Sequence, residues 1–178
     1  CHKVIVSDAL ISDNVLELLK YRDNESKIFI KNKFKKFQDV KAINLRDEND
    51  VLAKIKEHCN NNQPFLCASD SCEVVTRLYN ECLTDAVDKE KFLLITAKTK
   101  VYISNANKSF KDKFVFYSPS IIYGVDFSSD IPQDVFIYSK GQSILPSGLF
   151  QQATRTRNIN NLYYYACDKN KQCQFNSI

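Results

Sequence analysis

Phe65-Leu-Cys-Ala-Ser-Asp-Ser-Cys-Glu-Val-Val-Thr-Arg-Leu-Tyr-Asn-Glu-Cys-Leu83 is the stretch whose reading decides the fold. Phe65 to Ala68 is an apolar run of strand length. Ser69-Asp70-Ser71 supplies side-chain oxygens that cap a helix reaching about Leu83, with Val75, Leu78 and Cys82 on one stripe. The same alternation continues on both sides. Upstream, Val40–Leu45 is a strand, and a helix starts at Asp47 with Val51, Leu52, Ile55 and Cys59 as its stripe; Asn60-Asn61-Asn62-Gln63-Pro64 ends it. Further upstream, Lys27–Lys31 and Lys3–Ser7 read as strands. Between them lies a helix capped by Ser12 or Asp13, with Ile11, Val15, Leu18 and Leu19 on one face. Downstream come strands at Phe92–Thr96, Lys113–Tyr117 and Val135–Tyr138, a helix at Ser147, and a last apolar run at Leu162–Ala166. These strands lack strict polar alternation, as expected of a sheet covered on both faces. The pattern predicts an α/β domain with a mostly parallel sheet.

The 178 residues are enough for one ordinary domain, and 44% hydrophobic with 26% charged residues is globular composition. Only 3 Gly and 4 Pro leave little room for a long flexible linker. No apolar run is long enough to span a bilayer, and no signal-peptide pattern opens the chain. The chain starts at Cys1 and contains no Met, so it is expected to be a piece of a longer protein. Cysteines stand at 1, 59, 67, 72, 82, 167 and 173, without Cys-x-x-Cys spacing, and only His2 and His58 are there to assist. They read as small buried hydrophobes in a reducing, intracellular compartment, with no metal site. A Cys167–Cys173 disulfide is compatible with the spacing but not required by it.

Net charge is only +4, but the cations cluster. Lys27, Lys31, Lys33, Lys35, Lys36, Lys41 and Arg46 face a single acid, Asp39; Lys98, Lys100, Lys108, Lys111 and Lys113 form a second run. Each run suits a solvated face, and two together favour a polyanionic partner.

In parallel α/β sheets, ligands bind where strands end and loops lead into helices. The residues just past the strands are Asp8, Ser69, Thr96, Ser118 and Ser120. Small hydroxyls there suit phosphate oxygens or, equally, helix caps. Ser147 to Asn158 reads Ser-Gly-Leu-Phe-Gln-Gln-Ala-Thr-Arg-Thr-Arg-Asn. Leu149, Phe150 and Ala153 give a short helix an apolar face, which directs Gln151, Arg155 and Arg157 across a cleft. Guanidinium groups pair bidentately with phosphate oxygens. The competing reading is a surface helix whose solvated arginines suit the negative end of its dipole. Tyr117 to Ser128 reads Tyr-Ser-Pro-Ser-Ile-Ile-Tyr-Gly-Val-Asp-Phe-Ser. Gly124 marks a sharp turn or a close approach; Asp126 either orients a ribose hydroxyl or is an ordinary turn acid.

Ser-Pro-Ser, Gly-Val-Asp-Phe, a strand and then Gln-Gln-Ala-Thr-Arg-Thr-Arg resemble motifs V and VI of superfamily 2 helicases, above all the herpesvirus-type replication origin-binding helicases. Val-Ile-Val-Ser-Asp-Ala-Leu resembles motif III, and Phe65 to Ser71 resembles motif IV. The resemblance implies that the chain is a single RecA-like (P-loop NTPase type) C-terminal lobe over residues 1–178, with 1–22 as the end of a preceding lobe and a linker. It implies that Arg155 and Arg157 reach the γ-phosphate of ATP, that Gln151 positions their helix, and that Gly124 and Asp126 lie beside the nucleotide. It implies that Ser69, Ser118 and Ser120 bond a DNA backbone. ATP and Mg2+ would be held mainly by the preceding ATPase lobe, and the setting would be a nucleus or a viral replication compartment. There are departures. Thr154 stands where the family has Gly, and the chain has neither a Gly-x-x-x-x-Gly-Lys-Ser/Thr loop nor an Asp-Glu box, so it is not expected to hydrolyse ATP alone. A non-catalytic nucleic-acid-binding or scaffolding lobe of a replication complex is the alternative.

Overall fold

A computed structural model of the chain describes residues 13–21, 26, 28, 30, 37–99, 101–119, 127–128 and 130–167. It divides into two units, Cys1–Lys36 and Phe37–Ile178. In the first, α1 (Asp13–Lys20) opens on an acid and closes on a base, as the helix dipole favours. The expected strand at Lys3–Ser7 and the residues Asp8, Ile11 and Ser12 lie outside the described residues. Of the expected strand at Lys27–Lys31, Ile28 and Ile30 are described; they are 86% and 90% exposed and belong to no strand. A strand needs a ladder partner, and among the described residues none runs beside them.

The second unit runs β1 (Lys41–Asn44), α2 (Glu48–Asn60), β2 (Phe65–Ser69), α3 (Cys72–Thr84), β3 (Phe92–Ile95), α4 (Ala106–Ser109), β4 (Phe114–Tyr117), β5 (Gln133–Ser139), α5 (Pro146–Ala153) and β6 (Ile159–Ala166). The six strands form one all-parallel sheet in the order β1-β6-β5-β2-β4-β3. Local chemistry starts each of the two long helices as expected. Asp47 caps α2 by accepting from the Asp50 N–H at 2.9 Å, and Ser71 caps α3 by accepting from Val74 N. The Asn-rich turn after α2 is closed with Asn62 at φ 53, a conformation asparagine tolerates.

Every residue of β2 and β4 is buried. The strands alternate in side-chain size rather than polarity. Phe65, Phe92, Phe114, Phe116, Phe136 and Tyr163 point to one face, where Val51 and Ile55 of α2 and Val74, Val75, Leu78 and Cys82 of α3 cover them. Leu66, Ala68, Val115, Val135, Ile137 and Leu162 point to the other, under Ala106, Phe110, Phe127, Leu149 and Ala153. From β1 through β2 to β3 the chain moves toward one edge with both connecting helices on the aromatic face. From β3 through β4 and β5 to β6 it moves back with its connections on the aliphatic face. This is what connections of one constant hand require.

At the amino-terminal end of the sheet, His58 of α2 is 2% exposed and locked. Its Nδ1 lies 2.8 Å from the Lys54 carbonyl oxygen and its Nε2 2.7 Å from Asp134 Oδ2. Asp134 Oδ1 also accepts from Asn160 Nδ2, Asn161 N and Asn161 Nδ2, at 2.9 to 3.0 Å. Burial works to raise the Asp134 carboxyl, yet its hydrogen bonds with His58, Asn161 and Asn160 together hold it below its ordinary value.

Candidate functional site

β2 and β5 are neighbours whose following helices, α3 and α5, lie on opposite faces, so the sheet's winding reverses between them. In a sheet of this kind the crevice past those strand ends is where ligands bind. Here Asp70 fills it. This carboxylate is 2% exposed and accepts from Lys140 N at 2.7 Å and Gln142 N at 2.9 Å, while the Asp70 carbonyl oxygen accepts from Ser143 Oγ. Gly141, between the two donating amides, has φ +70, a left-handed conformation that glycine adopts freely and most other residues adopt only under strain. Lys140 Nζ adds an ion pair to Glu73 Oε2 at 3.2 Å. The segment 140–143 is thus strapped across the end of β2. In the sequence Asp70 reads only as one of three capping residues; nothing local distinguishes it, because its partners stand seventy residues away. An Asp70→Ala change leaves two backbone donors without their acceptor. It is expected to cost about 2 kcal/mol and to speed amide exchange in 140–143 selectively, which hydrogen-exchange mass spectrometry reads directly.

Ser69 and Ser118, expected to meet a nucleic-acid backbone, sit at adjacent strand ends but are 0% and 3% exposed. Ser69 Oγ already accepts from Ser71 N at 3.1 Å. Ser118 N donates to Ile95 O, and its carbonyl accepts from Gln152 Nε2 at 2.8 Å. As placed, both serines organise the loops from beneath the surface. Thr96 is likewise buried, its hydroxyl accepting from Lys98 N and Thr99 N. Ser120, Gly124 and Asp126 lie outside the described residues, as do Cys1, His2 and Cys173 and with them the Cys167–Cys173 pairing.

Helix α5 carries Leu149 and Ala153 inward at 1% and 0% exposure, as the spacing predicts. Phe150, expected on that face, is 47% exposed, and Gln152 takes the inward place at 0%. Positions 149, 152 and 153 share one side of a helix, whereas 150 is turned about 100° away. The amide tying the helix to the end of β4 is that of Gln152, next to Gln151, the residue expected to face a cleft. Gln151 is half-buried, and its carbonyl accepts from Thr154 Oγ1 at 3.2 Å. The Tyr117 hydroxyl donates to the Gln152 carbonyl at 3.3 Å. Thr154 has φ −77 and ψ 10, within reach of any residue, so threonine in place of glycine brings no backbone strain there.

Past the helix the chain extends. Phe127 N donates to Arg155 O at 3.1 Å, and Arg157 N donates to Phe127 O at 2.9 Å, a single parallel bridge centred on Thr156. Two distant stretches singled out in the sequence are joined here by main-chain bonds, beside the side-chain bonds of Gln152 to Ser118 and of Tyr117 to Gln152. Thr156 is fully buried, Arg155 half-buried and Arg157 exposed. Arg155 lies close enough to the buried Tyr117 to act on it: burial pushes the phenol up, and the guanidinium pulls against that rise.

The second basic run does not gather on one surface. Lys98 follows the carboxyl end of β3, whereas Lys111 and Lys113 precede the amino end of β4, at opposite ends of two parallel neighbours. A strand–helix–strand crossover separates them by the length of the sheet. Lys113 Nζ also donates to Glu90 O at 2.5 Å. In the first run Lys27, Lys31, Lys33, Lys35 and Lys36 lie outside the described residues, and Arg46 is paired with Asp50 at 2.6 Å. A groove of about 600 Å³, lined by Asn62, Asn107, Phe127, Gln133 and Asn160 among others, opens at the amino-terminal end of the sheet, and Phe127 joins it to the main chain of Arg155 and Arg157.

Among the described residues no group of three or more His, Cys, Asp or Glu is placed to hold a metal ion, and no helix is long and apolar enough to cross a membrane. The described residues thus define an α/β domain, a doubly wound parallel sheet consistent with a RecA-like arrangement. Comparison with protein-family models, with characterised proteins and with solved structures finds no match.

Proposed function

We propose that residues 37–178 work as the C-terminal RecA-like lobe of a superfamily 2 DNA helicase, presenting Arg155 and Arg157 to the γ-phosphate of an ATP held mainly by a preceding lobe. The observation that carries this reading is the Phe127 bridge. It fixes the main chain of both arginines to the end of the Gly-Val-Asp-Phe stretch, as the two motifs need if they act together. Guanidinium groups fit the chemistry, because phosphoryl transfer needs positive charge placed where negative charge develops on the departing phosphate oxygens. The reading rests on the arginines rather than on Ser69 and Ser118, whose hydroxyls are occupied or covered. Mg2+ finds no ligand set among the described residues and belongs with the preceding lobe in this proposal.

DNA is the proposed track, contacted through phosphates and so without sequence preference from this lobe. Three phosphate contacts from exposed cations give a salt slope of about −2 on single strands, so affinity is expected to drop about 20-fold as salt rises from about 50 to about 200 mM. Fluorescence anisotropy with a labelled oligonucleotide measures it, and an affinity indifferent to salt removes DNA from the proposal. Adenosine triphosphatase assays of the protein together with its preceding lobe test the arginines.

A further inference from the structure

The groove at the amino-terminal end of the sheet, at about 600 Å³, has the size of a small-ligand site. Gln133, the first residue of β5, lines it at 5% exposure. Its main chain is fixed, since Gln133 N donates to Asn158 O at 3.1 Å. Its side-chain oxygen is not: Oε1 is buried and meets no hydrogen-bond donor. Buried acceptors in folded proteins are nearly always filled. Two neighbouring amide oxygens along the groove obey that rule. Asn62 Oδ1 accepts from Lys91 Nζ and Asn107 Oδ1 from Ser128 N, both at 2.8 Å.

Charge at the opening points the same way. Asp112 and Asp130 line the groove and are exposed, and neither carboxylate has a hydrogen bond or ion pair among the described residues. Asp112 is held at φ 57 in a turn closed by Lys113 N on Phe110 O at 3.2 Å. The third carboxylate, Asp134, is already engaged by His58, Asn160 and Asn161. Lys111 is the one Lys or Arg of the lining, exposed on a long stem that reaches into water. One buried amide oxygen and two carboxylates thus await donors.

We propose that this groove binds a small organic ammonium ion, a diamine or polyamine, with one nitrogen donating to Gln133 Oε1 and another paired with Asp112 and Asp130. An ammonium group carries three donors and no acceptor. It supplies what the groove lacks and adds nothing that the groove would leave unmet. An anion would find only Lys111 to meet it among more numerous carboxylates. A metal ion lacks a ligand set, since no group of three or more His, Cys, Asp or Glu among the described residues is placed to hold one. The site uses neither Arg155 nor Arg157, so it stands whether or not they meet ATP.

The test titrates the full 178-residue chain with 1,4-diaminobutane at constant ionic strength and follows the side-chain amide signals of Gln133 and Asn107 by heteronuclear NMR. The uncharged control of matching shape is 1,4-butanediol. The diamine is expected to shift both signals with half-saturation at about 1 mM, and the diol to leave them in place. Asp112→Asn and Asp130→Asn together should weaken binding about tenfold, read at Asn107, because two exposed ion pairs are lost. Gln133→Leu should weaken it by about the same factor, yet its thermal midpoint should not fall, since the change removes an unmet buried acceptor. An equal response to the diol, shifts confined to other acidic surfaces, undiminished binding by Gln133→Leu, or inorganic phosphate saturating the same signals in place of the diamine overturns the proposal. If a variant fails to fold, the comparison of diamine with diol on the parent chain still decides.

Discussion

Arg157→Ala, on the helicase reading proposed above and in a protein that carries a preceding ATPase lobe, is expected to lower ATP turnover by about 10³-fold, with a much smaller effect on nucleotide affinity. The reason is geometric. Arg157 is exposed, and its backbone N–H donates to the Phe127 carbonyl, a bond that alanine keeps. The change therefore removes the guanidinium while that main-chain bond stays. Arg157→Lys should recover little, because an ammonium lacks the planar fork that meets two oxygens together. Circular dichroism of the variant should match the parent, which separates lost chemistry from lost fold. Turnover within a few-fold of the parent value would remove Arg157 from the proposed role. The same measurement on Arg155→Ala is less clean, since Arg155 is half-buried near Tyr117 and its loss disturbs packing as well.

The second large effect concerns stability. Asp134→Ala takes away the acceptor for His58 Nε2 and for three N–H groups of Asn160 and Asn161 together. His58 stays behind, ringed edge-on by Phe65, Phe136 and Tyr163. Breaking one side of a buried pair typically costs about 3–5 kcal/mol, and the urea midpoint should fall accordingly. A loss under about 1 kcal/mol would show that water replaces the carboxylate freely. The pH dependence has a definite sign. The folded Asp134 carboxyl is held below its unfolded value, so its contribution is complete above about pH 4 and disappears as pH falls through the depressed folded value. Asp134→Asn should flatten that part of the acid limb and leave the neutral-to-basic range unchanged in shape.

Much of the fold was legible because the caps are local. Asp47 and Ser71 announce α2 and α3 within three residues of their partners. The strands were legible as apolar runs, and their burial on both faces followed from missing polar alternation. A finer signal was present too. Phe114-Val115-Phe116 and Val135-Phe136-Ile137 alternate large rings with branched aliphatics, and each kind faces its own layer. At Ile28 and Ile30, the described residues of the Lys27–Lys31 run, apolarity shows that a residue can be buried but not that a neighbour exists to bury it. Around the site, periodicity turns Phe150 outward and Gln152 inward once positions 149, 152 and 153 are counted together. Asp70 and the strap 140–143 were out of reach, since their contact joins the ends of two strands that the chain visits seventy residues apart.

The bridge at Phe127 is written entirely in peptide groups. Substitution at positions 155 and 157 therefore leaves the groups that make the seam in place, whatever side chains they carry. A relative with other residues there should keep the same main-chain pairing to its counterpart of Phe127, even where packing around position 155 has changed.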